Sequence, residues 1–114
     1  MDLEGKFARA ATLTGPKLFL ALSACPTGWL YDPGNTPEVA KLAVETGLWP
    51  FKEAINGKVV HTYVPKRKPV DEYFKLQGRF RHLFEPTVQS EVIAHIQQRV
   101  SAYWEKVQRE SQIA

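Results

Sequence analysis

The feature that most constrains this fold is an apolar run, Leu-Phe-Leu-Ala-Leu-Ser-Ala at residues 18–24. The run lies between Gly15-Pro16 and Cys25-Pro26, and seven residues are too few for a buried helix. Because polar and apolar residues do not alternate along it, the pattern is typical of a strand buried on both faces, as in a parallel sheet. It predicts an α/β fold with residues 18–24 as an internal strand.

Amphipathic periodicity and turn residues predict the remaining elements. They are helices over 3–12, 37–46 and 69–77, a hairpin of 51–55 with 58–63, and one long amphipathic helix from residue 86 onward. Thr36 is the expected cap of the second helix, and Gly47 is its expected stop. Asn56-Gly57 is a strong hairpin signal, because both residues of such a turn adopt positive φ. The apolar stripe of the last helix is Val88, Val92, Ile96, Val100, Tyr103 and Val107.

The predicted strand poses a problem for a chain of this length. A strand buried on both faces requires strands on either side and helices above and below. The hairpin could pair with residues 18–24 in a small α+β sheet. We favour the alternative, in which the strand belongs to a sheet whose other strands lie outside this sequence. The chain is therefore expected to be an incomplete domain.

Composition excludes several classes of protein. The chain has 114 residues, 44% hydrophobic and 24% charged, an ordinary globular balance rather than that of a disordered segment. No apolar run approaches the roughly 20 residues needed to cross a bilayer, and the amino end has no secretory character. One cysteine cannot form an internal disulfide, which fits a reducing cytoplasm. We expect a cytoplasmic protein without a membrane partner.

Cys25 is the residue with the most chemistry, because it follows the predicted strand at the end where α/β sheets place their ligands. Taken alone, a single cysteine is most simply a small buried hydrophobe. A zinc site lacks a second cysteine at ligand spacing, and a catalytic cysteine lacks a nearby base. The residue alone does not decide its role.

A wider set of motifs resembles one family. They are Gly15-Pro16, Ser23-Ala-Cys-Pro-Thr-Gly-Trp29, Leu42-Ala-Val-Glu-Thr-Gly-Leu-Trp-Pro50, Asn56-Gly-Lys58, Lys68-Pro-Val-Asp-Glu-Tyr73 and Leu76-Gln-Gly-Arg-Phe-Arg-His-Leu83. In this order they are similar to the carboxyl-terminal portion of the thiamine-diphosphate-binding β subunit of pyruvate (2-oxoacid):ferredoxin oxidoreductases. The resemblance implies that residues 1–50 end the thiamine-diphosphate-binding α/β domain. Residues 51–114 would form a hairpin and a carboxyl-terminal helical extension.

The resemblance also implies a role for Cys25. The family's cysteine at this position is the last of four ligands to a [4Fe–4S] cluster. The other three cysteines, and the residues that bind thiamine diphosphate and Mg²⁺, come from earlier in the family's chain, and none of them occurs here. No catalytic residue is therefore expected in this chain, which alone would be inactive. Ala24 replaces a proline that is common in the family, which should loosen the loop but spare the ligand.

The implied function is oxidative decarboxylation of pyruvate or a branched-chain 2-oxoacid to acyl-coenzyme A, with electrons passed to ferredoxin. The implied partners are the rest of the β subunit, the other oxidoreductase subunits and ferredoxin. A non-catalytic interaction module that has lost the cluster is the alternative. The basic residues between 66 and 82 are either solvated surface or a docking site for acidic ferredoxin. A nucleic-acid surface is disfavoured, since no motif for one is present.

Overall fold

The structure, a computed structural model, describes all residues from 1 to 114. The helices are α1 (Asp2–Ala11), α2 (Pro26–Trp29), α3 (Thr36–Glu45), α4 (Val70–Lys75) and α5 (Ser90–Arg109). The strands β1 (Lys52–Ile55) and β2 (Lys58–His61) form a two-stranded antiparallel sheet, and 3-10 turns cover Pro33–Asn35 and Gly78–Leu83. None of the helices combines the length and the apolar character that crossing a membrane requires.

One apolar cluster holds α3, α4, α5 and Gly78–Leu83 together. Its buried side chains are Tyr31, Val39, Leu42, Ala43, Val70, Tyr73, Phe74, Leu83, Val100, Trp104 and Val107. Trp104 is the largest of these, is 1% exposed, and donates a hydrogen bond from its indole nitrogen to the Gly47 carbonyl oxygen at 3.1 Å. We call residues 31–107 the core segment, because every member of this cluster lies within it.

Gly47 ends α3 as predicted. Its φ of +82° is one that glycine adopts without strain, and a Cβ there would overlap the indole nitrogen of Trp104. The predicted cap is wrong, since Thr36 is the first helical residue and its hydroxyl donates to the Pro33 carbonyl at 2.8 Å. The preceding 3-10 turn, Pro33–Asn35, already leads the chain into the helix, so no threonine cap is needed.

The hairpin is confirmed, with Asn56 at φ +51° and Gly57 at +78°. His61 at its end lies across from Lys52 of β1 and is buried, with only 1% of its surface exposed. Its ring nitrogens lie 2.9 Å from the Gln112 carbonyl oxygen and 2.6 Å from the Tyr103 hydroxyl. Since residues after α5 return to pair with β2, they bury a histidine that strand periodicity alone would leave exposed.

The long carboxyl-terminal helix is confirmed but begins at Ser90 rather than at residue 86. The second half of the predicted stripe is right, because Val100 and Val107 are buried. In the first half Ile96 packs against the core as predicted, whereas Val88 and Val92 are exposed and the neighbouring Ile93 packs there. Residues 86–89 form a loop, so the helical phase does not extend back through them.

Residues 18–24 do not form the predicted buried strand. They have no regular structure, and Leu18 and Leu20 are 84% and 77% exposed. The physical reason is the absence of a partner, because β1 pairs only with β2 and β2 continues onto Ile113. An apolar segment without a neighbouring strand has neither ladder hydrogen bonds nor a cover for its side chains.

We call residues 1–24 the arm, since they lie outside the apolar cluster. The predicted helix α1 is present but has no buried residue, and it is held by polar contacts to the hairpin. Arg9 makes a two-pronged ion pair with Glu53, and Asp2 pairs with Lys6 and Thr62. Phe7 of α1 stacks on Phe19 at 4.0 Å between ring centroids. The arm is therefore attached to the hairpin while its apolar side remains exposed.

The overall dimensions agree with a packed core segment and an arm that extends from it. The radius of gyration is 16.2 Å and the extents are 52 × 33 × 22 Å. A compact domain of this length would have a radius of about 13 Å. The expectation of a partial α/β domain is met in its mixture of helix and strand, whereas the parallel sheet is not formed by this chain.

Candidate functional site

Cys25 lies where the arm meets the core segment. Its backbone is extended, with φ −119° and ψ 108°, and it is the residue that precedes α2. Pro26 suits the first position of a helix, because its fixed φ is helical and its missing N–H would have no partner there. The Cys25 carbonyl accepts a hydrogen bond from the Trp29 N–H at 2.9 Å, which closes the turn. The Cys-Pro-Thr-Gly-Trp sequence thus folds locally into one helical turn.

The Cys25 thiol is exposed and has one polar contact in this chain. The Gly28 N–H donates to Sγ at 3.3 Å. A Cβ at position 28 would lie 3.4 Å from Sγ, so glycine keeps the space beside the sulfur open. The interpretation of Cys25 as a small buried hydrophobe is wrong, because the side chain is exposed.

These features fit one thiolate ligand of an iron–sulfur cluster. Thiolates are the usual ligands of such clusters, and N–H hydrogen bonds to sulfur help to set cluster potentials. No group of three or more His, Cys, Asp or Glu side chains in this chain is arranged to hold a metal ion. Any cluster bound here therefore needs ligands from outside the chain.

The packing of Gly78–Leu83 on α2 was not predicted from the sequence. The Gly78 N–H donates to the Leu30 carbonyl at 2.7 Å, and Leu30 itself has φ +60°. The Arg79 guanidinium carbon lies 3.9 Å from the centroid of the Trp29 ring. Trp29 and Arg79 lie fifty residues apart in the sequence. Because no local sequence pattern indicates that they meet, these contacts are visible only in the structure.

The basic stretch from 66 to 82 is largely neutralised within the chain. Ion pairs join Lys68 to Glu45 at 2.8 Å, Lys75 to Asp71 at 2.7 Å and Arg81 to Glu85 at 3.9 Å. Lys66 and Arg67 have no acidic partner within 4.0 Å. The free positive charge is thus smaller than the sequence suggests, and it includes Lys66, Arg67 and Arg79.

The chain is similar in sequence to subunits of known enzymes. The chain is 46% identical over 89 residues to pyruvate synthase subunit PorB of Methanocaldococcus jannaschii, a match that covers 77% of the chain and 30% of that protein. It is 36% identical over 108 residues to the PorB subunit of Thermotoga maritima, covering 94% of the chain and 33% of the relative. The chain belongs to the pyruvate synthase subunit PorB family.

Membership in the PorB family confirms the resemblance drawn from the motifs. The chain spans about a third of the length of the curated relatives it matches. It is also 31% identical over 115 residues to ketoisovalerate oxidoreductase subunit VorB of Pyrococcus furiosus, covering 98% of the chain and 35% of that protein. No protein-family model matches the chain.

Proposed function

We propose that this chain is part of the β subunit of a 2-oxoacid:ferredoxin oxidoreductase and supplies one thiolate, that of Cys25, to a [4Fe–4S] cluster. The observation that supports it best is the exposed thiol on the Cys-Pro-Thr-Gly turn, with the Gly28 N–H directed at its sulfur. The family relation gives the context, since relatives are named as pyruvate synthase and ketoisovalerate oxidoreductase subunits.

Within such an enzyme the residues of this chain would bind and orient the cluster, and they would not act as catalytic groups. A [4Fe–4S] cluster would supply one-electron transfer between the oxidation of the 2-oxoacid and ferredoxin. Cys25 would hold such a cluster through its thiolate and tie it to the turn. The Gly28 N–H offsets negative charge on the sulfur, and its missing side chain leaves room for the cluster's bulk. Thiamine diphosphate, Mg²⁺, coenzyme A and the 2-oxoacid would be bound by the remainder of the complex, in the cytoplasm.

The arm is the surface we assign to the remainder of the β subunit. Its exposed apolar side chains include Leu18 and Leu20, and an extended apolar segment fits addition to a parallel sheet. As an α/β strand it would place Cys25 at the strand's carboxyl end, where ligands of such sheets lie. The isolated chain should have no oxidoreductase activity, because it lacks the other ligands and cofactor-binding residues.

A non-catalytic interaction module is the second candidate. An exposed apolar arm would serve a docking role whether or not a cluster is present, and Ala24 departs from the family's common proline. The two candidates differ in one measurable property, which is iron bound through Cys25.

The test is Cys25→Ser in the assembled complex. Serine replaces a soft thiolate with a harder oxygen donor, so the cluster should be lost or its potential changed. Iron content, the electron paramagnetic resonance signal after reduction, and ferredoxin reduction should all change, while decarboxylation of the 2-oxoacid persists. Thr27→Ala on the same turn is the matched control and should leave iron intact. An unchanged cluster signal with normal ferredoxin reduction in Cys25→Ser would exclude the ligand role and favour the interaction module.

A further inference from the structure

Arg79 is held in an unusual way for a half-buried cation, because no acidic side chain pairs with it. Its guanidinium carbon lies 3.9 Å from the centroid of the Trp29 ring and 4.6 Å from that of Phe80. Its Nε donates to the Gln77 side-chain oxygen at 2.7 Å, and a terminal nitrogen donates to the Tyr73 hydroxyl at 3.0 Å. Aromatic faces and neutral acceptors thus fix both the position and the orientation of the guanidinium plane.

These contacts use properties that lysine does not have. A guanidinium is planar, stacks on aromatic rings and donates in several fixed directions, whereas an ammonium is a compact point charge. Gln77 is itself buried and donates to the Tyr73 carbonyl at 2.7 Å, so the acceptors that hold Arg79 are rigidly placed. The charge is therefore anchored to Tyr73 of α4 and to Gln77, which follows the helix.

The anchored guanidinium contacts the turn that carries Cys25. Trp29 is the last residue of α2, and its N–H closes the turn onto the Cys25 carbonyl. Beside it, the Gly78 N–H donates to the Leu30 carbonyl, and a Cβ at Gly78 would lie 2.8 Å from Leu30 Cβ. Both contacts fall at the carboxyl end of the turn, whereas its amino end is joined to the exposed arm.

We propose that Arg79 is a positioning residue for Cys25, acting through its stacking on Trp29 to hold the turn in place. The position of the thiol would then depend on the core segment and not on the arm. The effect of Arg79 on a bound cluster rests on the proposed function, in which Cys25 is a cluster ligand. The rigidity of the turn itself can be tested without any cluster.

The first experiment measures amide hydrogen exchange in the full 114-residue chain. Arg79→Ala should speed exchange at the Trp29 and Tyr31 amides by about tenfold or more, since a cation–π contact and two hydrogen bonds are lost. Arg79→Lys should restore little of the protection, because it keeps the charge but neither the stacking plane nor both donors. Arg81→Ala, in the same 3-10 turn and exposed, is the control and should leave these amides unchanged.

Two results would overturn the proposal. One is unchanged exchange at Trp29 and Tyr31 in Arg79→Ala. The other is faster exchange that extends equally to α5, which would indicate a general structural role. Full protection in Arg79→Lys would contradict the planar-stacking mechanism, since charge alone would then be sufficient.

The second experiment uses the assembled complex and measures the cluster's electron paramagnetic resonance and its reduction potential. Arg79→Ala should broaden the signal or shift the potential, and Arg81→Ala should not. If the wild-type complex binds no iron through Cys25 while the exchange result holds, the proposed function fails and the positioning role stands. If iron and spectra are normal in Arg79→Ala and exchange is also unchanged, the positioning role fails and the proposed function stands.

Discussion

The core segment and the arm contain similar apolar patterns but have opposite environments. In the core segment Val39, Trp104 and Val107 are at most 1% exposed. In the arm Leu18 and Leu20 retain most of their exposure, and α1 buries no side chain. An apolar pattern therefore predicts that a segment will be buried only if the chain also supplies the surface that covers it. Here α3, α4 and α5 supply it for one region and not for the other.

Among the variants that test the difference between the core segment and the arm, Trp104→Ala should cause the largest loss of stability. The indole fills the centre of the apolar cluster and donates to the Gly47 carbonyl, so its removal leaves both a cavity and an unpaired acceptor. We expect the free energy of unfolding to fall by about 3–5 kcal/mol. Chemical denaturation followed by far-ultraviolet circular dichroism would measure it. A loss of under about 1 kcal/mol would mean that the core segment is not the stable part of the molecule.

The elements that could be predicted from the sequence are those whose causes are local. Asn56-Gly57 turns the chain through its own backbone preferences, and Gly47 ends α3 because other residues are strained at its φ. The predicted strand at 18–24 depends on neighbours that this chain does not contain. The burial of His61 and the stacking of Arg79 on Trp29 depend on distant segments meeting, which one-dimensional periodicity does not encode.

The candidate site also combines features with local causes, which could be predicted, and contacts between distant segments, which could not. The motif around Cys25 pointed to the residue, and the fold of its turn follows from Pro26 and Gly28. The contacts of Gly78 and Arg79 with the Cys25 turn were not predicted, because neither motif indicates that it packs against the other.

A smaller effect on stability, but a clear effect on association, is expected from Leu20→Lys in the arm. The side chain is exposed and contributes little to folding, so the free energy of unfolding should change by no more than about 0.5 kcal/mol. Exposed apolar segments promote self-association, and a lysine on such a segment opposes it. Sedimentation velocity should show less oligomer for the variant than for the wild type. Ala40→Lys, exposed on α3, is a matched control that should leave association unchanged.

The smallest effect should come from the ion pair that joins α3 to the segment before α4. The Lys68 ammonium beside Glu45 lowers the pKa of that carboxyl below its ordinary value of 4.5. A lowered folded-state pKa gives stability that is present above about pH 4.5 and is lost as the pH falls through the folded-state value. Glu45→Gln should therefore lower Tm slightly at pH 7, and this difference should shrink as the pH falls through the folded-state pKa.

Glu105→Gln is the control for loss of the ion pair, because Glu105 is exposed on α5 and forms no ion pair within 4.0 Å. This variant should leave Tm at pH 7 unchanged. A Glu45→Gln difference that grows on acidification would contradict the assigned sign.

The most direct test of the account is residue-resolved hydrogen exchange of the chain alone, and again with a PorB relative that lacks the segment homologous to it. We expect fast exchange at residues 18–24 and slow exchange in α3 and α5 when the chain is alone. Adding the shortened relative should slow exchange at residues 18–24 selectively, as ladder hydrogen bonds form. Slow exchange at residues 18–24 in the chain alone, equal to that of α5, would contradict the division into a folded core segment and an unpartnered arm.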